Sequence, residues 1–301
     1  MKFAFIRDNR SLFDVEVTCA VLGVTAAGFY AWLGRPDSPR AIRARHLAEQ
    51  IRTVHHEVNG VYGSIKITQE LRQRHVRVNR KTVARLMQSL GIRSKVSRKF
   101  RVHTTDSDHT NPVAPNTLDQ NFASASAPNQ VWGADITYIH TDEGFVYLAG
   151  VMDLYSRRIV GWSMSDSMTT TLVEDAFNAA IASRMPSPRT DSSSSSPAAR
   201  GGLLHHSDRG VQYTSGRYRH LLERHGVEAS MSRTGNCYDN AVVESFWGKL
   251  KAEMVYHERF ATKAQARAAV FEYIEMFYNR KRLHAALGYL SPEAFEARRV
   301  A

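Results

Sequence analysis

The run Trp132-Gly-Ala-Asp-Ile-Thr-Tyr-Ile139 reads as a buried β-strand, yet it carries a carboxylate, Asp135, at its centre. A charge withdrawn from water is costly unless something pairs with it or neutralises it, so any fold of this chain must supply that group. Two more carboxylates sit in comparable settings. Leu203-Leu-His-His-Ser-Asp-Arg-Gly210 reads as a short strand that delivers Asp208 at its end. Asn240-Ala-Val-Val-Glu-Ser-Phe-Trp-Gly-Lys-Leu-Lys251 reads as a helix presenting Glu244, with 35 residues between Asp208 and Glu244. Three carboxylates converging from separate elements repel one another unless a cation sits among them. An all-oxygen donor set suits Mg²⁺, with Mn²⁺ able to substitute. Asp135, Asp208 and Glu244 are therefore candidate metal ligands and catalytic residues. A pair of such ions can clamp the attacking and leaving oxygens of an in-line phosphoryl displacement.

Charge is divided unevenly. Residues 1–104 hold 20 Lys+Arg against 7 Asp+Glu, a balance of +13, and the remainder carries −2 of the net +11. A basic module beside a near-neutral one predicts a polyanionic partner held largely through its phosphates. The 301 residues suffice for one catalytic domain plus smaller modules. No run of 18 apolar residues occurs, so no transmembrane helix is expected. Met1-Lys-Phe-Ala-Phe-Ile6 is followed at once by Arg7, Asp8 and Arg10, unlike a secretory signal. Two distant cysteines, Cys19 and Cys237, argue against a disulfide framework and fit a cytoplasmic protein. Without a CxxC pair, a zinc module of two histidines and two cysteines is not expected either.

Along the chain, 1–104 reads as a basic helical module. Val15 to Leu22, a turn at Gly23-Val24 and Thr25 as an N-cap predict two short helices. A long helix from about Arg40 to Val58 places Leu47, Ile51 and Val54 on one face. A pair follows: Ser64 to Arg74, with Ile65 and Leu71 inward, and a helix capped by Asn79, with Val83, Leu86, Met87 and Leu90 inward and Gly91 as its stop. Arg80 and Lys81 in its first turn, and Arg85 on its outer face, are candidate DNA contacts. A basic solvated face of a small bundle is the alternative. Residues 105–130 read as a linker with few buried side chains. The catalytic core is expected over 131–256, with strands at 131–140, 145–153, 159–165, 203–207 and 227–232, and helices at 170–184 and 215–225 before the Glu244 helix. A low-complexity insertion at 186–202 contains five consecutive serines. Residues 257–301 form a helical extension opened by a capping box at Thr262-Lys-Ala-Gln265, with Val270, Ile274 and Phe277 on one face. Tyr278-Asn-Arg-Lys-Arg-Leu-His284 then offers three cations, either as a tail packed on the core or as a phosphate contact.

Five motifs in this order resemble the transposases of the bacterial insertion-sequence-three family, within the wider retroviral-integrase-like group. They are W-G-A-D-I-T-Y-I (132–139), Y-L-A-G-V-M-D-L-Y-S-R-R-I-V-G-W (147–162), H-S-D-R-G-V-Q-Y (206–213), G-N-C-Y-D-N-A-V-V-E-S-F-W-G-K-L-K (235–251) and Y-N-R-K-R-L-H-A-A-L-G-Y-L-S-P (278–292), the last with Ala285 where serine is more usual. The resemblance implies a ribonuclease-H-like α/β catalytic core behind an all-α, helix-turn-helix-like N-terminal module. It implies metal-dependent cleavage that frees a 3′-hydroxyl at an element end, followed by attack of that hydroxyl on another phosphodiester. Double-stranded DNA, at element ends and target, is then the partner, with nucleoid association when bound and no membrane. A homo-oligomer is expected because two ends must be held together. The chain resembles a downstream-frame product, so an upstream-frame helix-turn-helix protein is a further expected partner. Two other readings remain open: a regulatory DNA-binding subunit that needs that partner, and a ribonuclease-H-like nuclease.

On the Glu244 helix, Asn240, Glu244, Gly248 and Lys251 share one face, while Val243, Phe246, Trp247 and Leu250 pack inward. The resemblance expects a basic residue seven positions after the glutamate, and Lys251 matches as a DNA-phosphate contact. Asn240 and His206 are expected to support the ligands from behind. Arg209 and Tyr213 are expected to contact DNA or to rim the site. Asp153, at a strand end, is expected to make a structural hydrogen bond.

Overall fold

Backbone pairing gathers five apolar runs into one mixed sheet. The computed structural model describes residues 1–95, 112–122, 124–184, 202–233 and 237–298. The strands are β1 (Val131–Thr141), β2 (Gly144–Asp153), β3 (Ile159–Ser165), β4 (Leu204–Ser207) and β5 (Glu228–Met231), in the order β3-β2-β1-β4-β5. β1, β2 and β3 run antiparallel through short turns. β4 and β5 pair parallel to β1 and to each other. Those parallel pairings need crossover connections. Helix α7 (Thr170–Arg184) precedes β4, and α8 (Val211–Thr214) with α9 (Gly216–Arg224) precedes β5. The expected ribonuclease-H-like core is thus present, with α8 as an additional turn of helix.

Alternation along β1 sends its side chains to two cores. Trp132, Ala134 and Ile136 pack with Phe177 of α7 and Leu221 and Leu222 of α9. Val131 and Ile139 pack on the opposite face with Val243, Phe246, Trp247 and Leu250 of α10 (Ala241–Glu253). Helix α11 (Lys263–Phe271) opens with the expected Thr262/Gln265 capping box. It continues as a wider π-helical segment, Glu272–Tyr278, that buries Tyr273, Ile274, Phe277 and Tyr278 in this second core. A last helix, α12 (Pro292–Ala297), follows.

The N-terminal helices are α1 (Lys2–Asn9), α2 (Val15–Leu22), α3 (Ala26–Leu33), α4 (Pro39–Glu57), α5 (Ser64–Gln73) and α6 (Arg80–Ser89). Their ends follow the sequence signals. Thr25 accepts from Gly28 N–H, Asn79 accepts from Thr82 N–H, and Gly23 closes α2 at φ +62°. Leu47, Ile51 and Val54 are buried as expected. One helix face was misassigned. Ile65 is 43% exposed, whereas Ile67, Thr68 and Leu71 are buried, because α5 begins at Ser64 and its inward stripe starts at the fourth position. No single helix among the described residues is long and apolar enough to cross a membrane.

The stretch expected as a linker departs further from its reading. Residues 105–111 lie outside the described set, but Leu118 and Ala125 are buried, and Thr117 N–H donates to Ser230 Oγ at 3.0 Å. Met231 N–H donates to the Pro115 carbonyl at 3.3 Å, so this segment covers the outer edge of β5. The other edge is closed by Asn279, whose side chain accepts from Ile159 N–H and donates to the Ile159 carbonyl, each at 3.0 Å. All of the serine-rich insertion except Gly202 lies outside the described residues.

β3 meets α7 at Gly161, where an added Cβ would stand 2.3 Å from the Ala176 carbonyl oxygen and 2.4 Å from Ala180 N. Backbone cannot yield there as a side chain can. Gly161→Ala is expected to cost about 3 kcal/mol of stability, read as a lowered urea midpoint. An unchanged midpoint would contradict this close approach.

Candidate active site

β1 and β4 are adjacent parallel strands, with Gly133 opposite His206. Two residues further along, Asp135 is still within β1, opposite Gly150 of β2, whereas Asp208 stands just past the end of β4. Asp208 Oδ1 accepts from Gly210 N–H at 2.9 Å, which fixes the carboxylate at the strand-to-helix turn. Asp135 faces α10 and is held from two sides: Oδ1 accepts from Ile136 N–H at 2.8 Å and Oδ2 accepts from Trp247 Nε1–H at 3.0 Å.

Glu244 arrives through the seating of α10 on the sheet. A Cβ at Gly133 would lie 2.7 Å from Val243 Cγ2, and one at Gly150, the cross-strand partner of Asp135, would lie 2.8 Å from the Trp247 ring. The two glycines flank Asp135 and let the helix descend onto it. Asn240 caps the helix and donates from Nδ2 to the Ala134 carbonyl at 3.1 Å, one residue before Asp135. Asn240 therefore anchors the helix that carries Glu244 and does not touch the carboxylate itself. Trp247 and the two glycines escaped the sequence reading. The available signal was the small residue two positions before the strand carboxylate, with an indole one turn after the glutamate.

Electrostatics tie the three acids together. The Asp135 carboxyl is pushed well above the usual range, first by burial and then by Asp208, with Glu244 adding to the effect; the Ile136 and Trp247 N–H groups oppose it. Glu244 is exposed along the helix, but partial desolvation and Asp208 raise its pKa as well.

Among the remaining candidates, His206 and Tyr213 are placed differently from expectation. Both ring nitrogens of His206 meet hydroxyls, Nδ1 with Ser230 Oγ at 2.9 Å and Nε2 with Ser232 Oγ at 3.2 Å, so this ring braces β4 against β5 and does not orient Asp208. Arg209 is half-buried and donates from Nε to the Ser232 carbonyl at 2.6 Å, which commits part of its guanidinium to the protein. Tyr213, expected at the rim, is 2% exposed and packs against His205 and Tyr218. Its hydroxyl has no hydrogen-bond partner, and both Asp135 and Asp208 push its pKa up after burial. Asp153 is structural as expected, accepting from the N–H groups of Asn129, Tyr155 and Ser156.

Residues 125–237 match the family model "Integrase core domain", residues 244–300 match a second model of the same description, and residues 43–100 match "HTH-like domain". The chain is 42% identical over 303 residues to "Transposase InsF for insertion sequence IS3A" of Escherichia coli (strain K12), covering 100% of both. It is 45% identical over 277 residues to "Insertion element IS600 uncharacterized 31 kDa protein" of Shigella sonnei, covering 92% of this chain and 96% of that one. The chain belongs to the insertion-sequence-three family of transposases. Among solved structures, the HTLV-2 integrase catalytic core domain in complex with magnesium (trimeric form) aligns with a TM-score of 0.40 at 15% identity, over 57% of this chain and 98% of that one.

In this family member Lys251 is half-buried, with Nζ 5.0 Å from the Tyr138 ring centroid. Burial lowers its pKa while Asp135 pulls it back up, so the ammonium and the strand carboxylate share one field. Lys251 and Tyr138 also line a cavity of about 430 Å³ together with His140, Phe145, Tyr256 and Arg259; Asp135, Asp208 and Glu244 do not line it. Arg80, Lys81 and Arg85 are exposed on α6. The donor set of the site is three carboxylates, which suits a hard divalent cation. Among the described residues no three acidic, histidine or cysteine side chains are drawn into the closed arrangement of a bound ion. The fit rests on charge: Asp208 raises the pKa of both other acids, and a cation would relieve that repulsion.

A carboxyl with a raised folded-state pKa contributes stability that is fully present below its unfolded value, about 3.9 for aspartate, and is lost as pH rises through the folded value. At neutral pH, Asp135→Asn removes that liability. In EDTA the variant is expected to melt a few degrees above the parent protein, and added Mg²⁺ should raise the parent alone. A variant that melted lower in EDTA would mark Asp135 as a paired structural charge.

Proposed function

We infer that the chain is a DNA transposase that cuts and rejoins phosphodiesters at Asp135, Asp208 and Glu244. The observation that carries this reading is the convergence of the three acids. α10 is drawn onto β1 at Gly133 and Gly150, which brings Glu244 into the field of a strand carboxylate already destabilised by Asp208. The mutual effect of the acids supports this reading, since Asp208 raises the pKa of both Asp135 and Glu244.

Asp135, Asp208 and Glu244 would hold divalent cations, two Mg²⁺ ions with Mn²⁺ able to substitute. When bound, such cations supply Lewis acidity to the scissile phosphate and to the attacking hydroxyl. The protein's own residues account for the rest. Ile136 and Trp247 keep the Asp135 oxygens in place, and Gly210 N–H does so for Asp208. Lys251 offers a cation beside Asp135 for a substrate phosphate. In the first reaction a water oxygen attacks phosphorus and the 3′-oxygen departs as a hydroxyl. In the second, that 3′-hydroxyl attacks another phosphodiester and displaces its 3′-oxygen. One phosphodiester is exchanged for another, so joining needs no external energy source.

The basic α6 face, with Arg80, Lys81 and Arg85, would hold duplex DNA, the element ends and the target being its substrates. Joining two ends requires two copies of the site, which implies a homo-oligomer. An upstream-frame helix-turn-helix partner remains part of the proposal. So does a cytoplasmic, nucleoid-associated setting.

The test is strand joining on a labelled duplex carrying the element's flanking ends, with Mg²⁺ or with EDTA. Glu244→Gln keeps the shape and removes a charge, so cleavage and joining should fall together by about a thousandfold, equivalent to about 4 kcal/mol, with DNA binding retained. Full activity in Glu244→Gln would sink the assignment of the acids. DNA binding without metal-dependent joining in the parent protein would favour the regulatory reading. Separately, replacing Arg80 and Lys81 with Gln should weaken duplex binding and lower its salt slope by about two. An unchanged slope would move the duplex-binding face away from α6.

A further inference from the structure

Where α5, the β2–β3 turn, α10 and the segment after α11 meet, five basic side chains face one another. Lys66 comes from α5, Arg157 from the turn, Lys249 from α10, and Arg282 and His284 from the C-terminal segment. Their mutual influence is felt at His284, whose pKa is pushed down by burial and then by Arg282, Lys249, Lys66 and Arg157 in turn. Two carboxylates face the group: Asp153, which acts on Arg157 but already accepts from three backbone N–H groups, and Glu253. Glu253 is taken up by Arg282, which donates to both of its oxygens, and by the Tyr273 hydroxyl at 2.8 Å. The two lysines have neutral contacts: Lys66 Nζ lies 5.1 Å from the Tyr62 ring centroid, and Lys249 Nζ donates to Ser245 Oγ at 2.7 Å. Burial and Arg282 lower both lysines to about 8.

Two polar atoms here are also left over. Arg157 Nη1 and His284 Nε2 are buried without a hydrogen-bond partner, and His284 as a whole is 6% exposed. Buried like charges and buried polar atoms without a partner are each costly, and both costs fall on one spot. A tetrahedral oxyanion answers both at once, because its several acceptor oxygens can be shared among lysine, arginine and imidazole N–H groups.

We propose that this cluster is a phosphate site separate from the three carboxylates, occupied by a backbone phosphate of the bound DNA. The assignment to DNA rests on the transposase reading. Lys66 and Lys249 are only half-buried, so they form the accessible mouth, and the exposed Arg280 and Lys281 continue the basic surface outward. α5 lies within the helix-turn-helix-like region and Lys249 sits on the Glu244 helix. A strand seated here would run from the N-terminal helices to the catalytic carboxylates.

The experiment uses the full chain with two probes. A fluorescent duplex carrying the element ends is titrated across a salt series, and inorganic phosphate is added to a thermal scan in chloride buffer. Neutralising the mouth with Lys66→Gln and Lys249→Gln together is expected to weaken duplex binding about tenfold and to lower its salt slope by one to about two. Lys66→Arg with Lys249→Arg should retain both. If phosphate raises the melting midpoint of the parent protein but not of the double Gln variant, while the salt slope is unchanged, the oxyanion site stands and its occupant is free phosphate. If neither probe distinguishes the double variant from the parent, the proposal is overturned. Should the double variant not fold, Lys66→Gln alone carries the same readouts. Failure of the parent protein to bind the duplex would count against the transposase reading, and the phosphate arm would still decide the cluster.

Discussion

The seat of α10 on β1 is the constraint from which the candidate site follows. The helix is pinned on both sides of Asp135, by Asn240 on the Ala134 carbonyl and by Trp247 on the Asp135 carboxylate. Repulsion works against this arrangement. Asp208 raises the pKa of both Asp135 and Glu244. Val243, Phe246, Trp247 and Leu250 are all buried beneath the helix, and each such side chain contributes roughly 1.5–3 kcal/mol. Apolar burial therefore outweighs the repulsion, and the hydrophobic face of α10 holds its polar face where the charges resist. The three acids of the candidate site thus sit at a point the fold alone would disfavour.

The same economy shapes the sheet edges. β3 and β5 each expose a row of unpaired backbone groups, a template for unwanted pairing. Asn279 covers one edge with a side-chain amide that mimics a backbone strand, and Pro115 to Leu118 cover the other through backbone and Ser230 contacts. Neither covering element is a strand, and both come from distant positions in the chain. On the β5 side, Asn116 and Gln120 donate to Asp239 at 3.0 and 2.8 Å, at the threshold of α10. The edge cover and the start of α10 are thus one hydrogen-bonded unit.

What could be read from the sequence was what has a period. Alternation in 131–141 and 144–153, the i, i+4, i+7 stripe of Leu47, Ile51 and Val54, and caps such as Asn79 and Thr262 all lie within a few residues of the structure they specify. The Asp135, Asp208 and Glu244 settings were readable because each acid interrupts an otherwise apolar or helical pattern. Long-range hydrogen bonding was not readable. Pro115 to Gln120 look like a linker because their partners, Ser230 and Asp239, are more than a hundred residues away. His206 looks like a support for Asp208 in sequence, but strand pairing turns it toward Ser230 on the neighbouring strand. Tyr213 looks like a rim residue because it follows a polar turn, and the extra helical turn of α8 rotates it inward. The Ile65 error has a different cause. On a ten-residue helix the phase of the inward stripe depends on the starting residue, and one or two positions decide the face.

The C-terminal segment has the role that sequence left undecided between packed tail and phosphate contact. Most of it is packed: Tyr278, Asn279, Arg282 and His284 are buried. Packing gives it a reach across the molecule. Tyr62, between α4 and α5, donates to the Lys281 carbonyl at 3.0 Å and accepts from Leu283 N–H at 2.7 Å. Gln73 donates to the Tyr289 carbonyl at 2.9 Å, and Lys95 donates to the Glu253 carbonyl at 3.2 Å. These bonds tie α5 and the residues after α6 to α10 and the C-terminal segment, and a common hydrophobic core runs beneath them. A DNA duplex held on α6 would therefore stand in a defined position relative to the carboxylates. Register between the bound end and the scissile phosphate would then be set by packing, with no need for a hinge to close. Arg282 gives the tie its electrostatic anchor by pairing with Glu253 inside that core, and the cations left over around it are the ones that still need a partner.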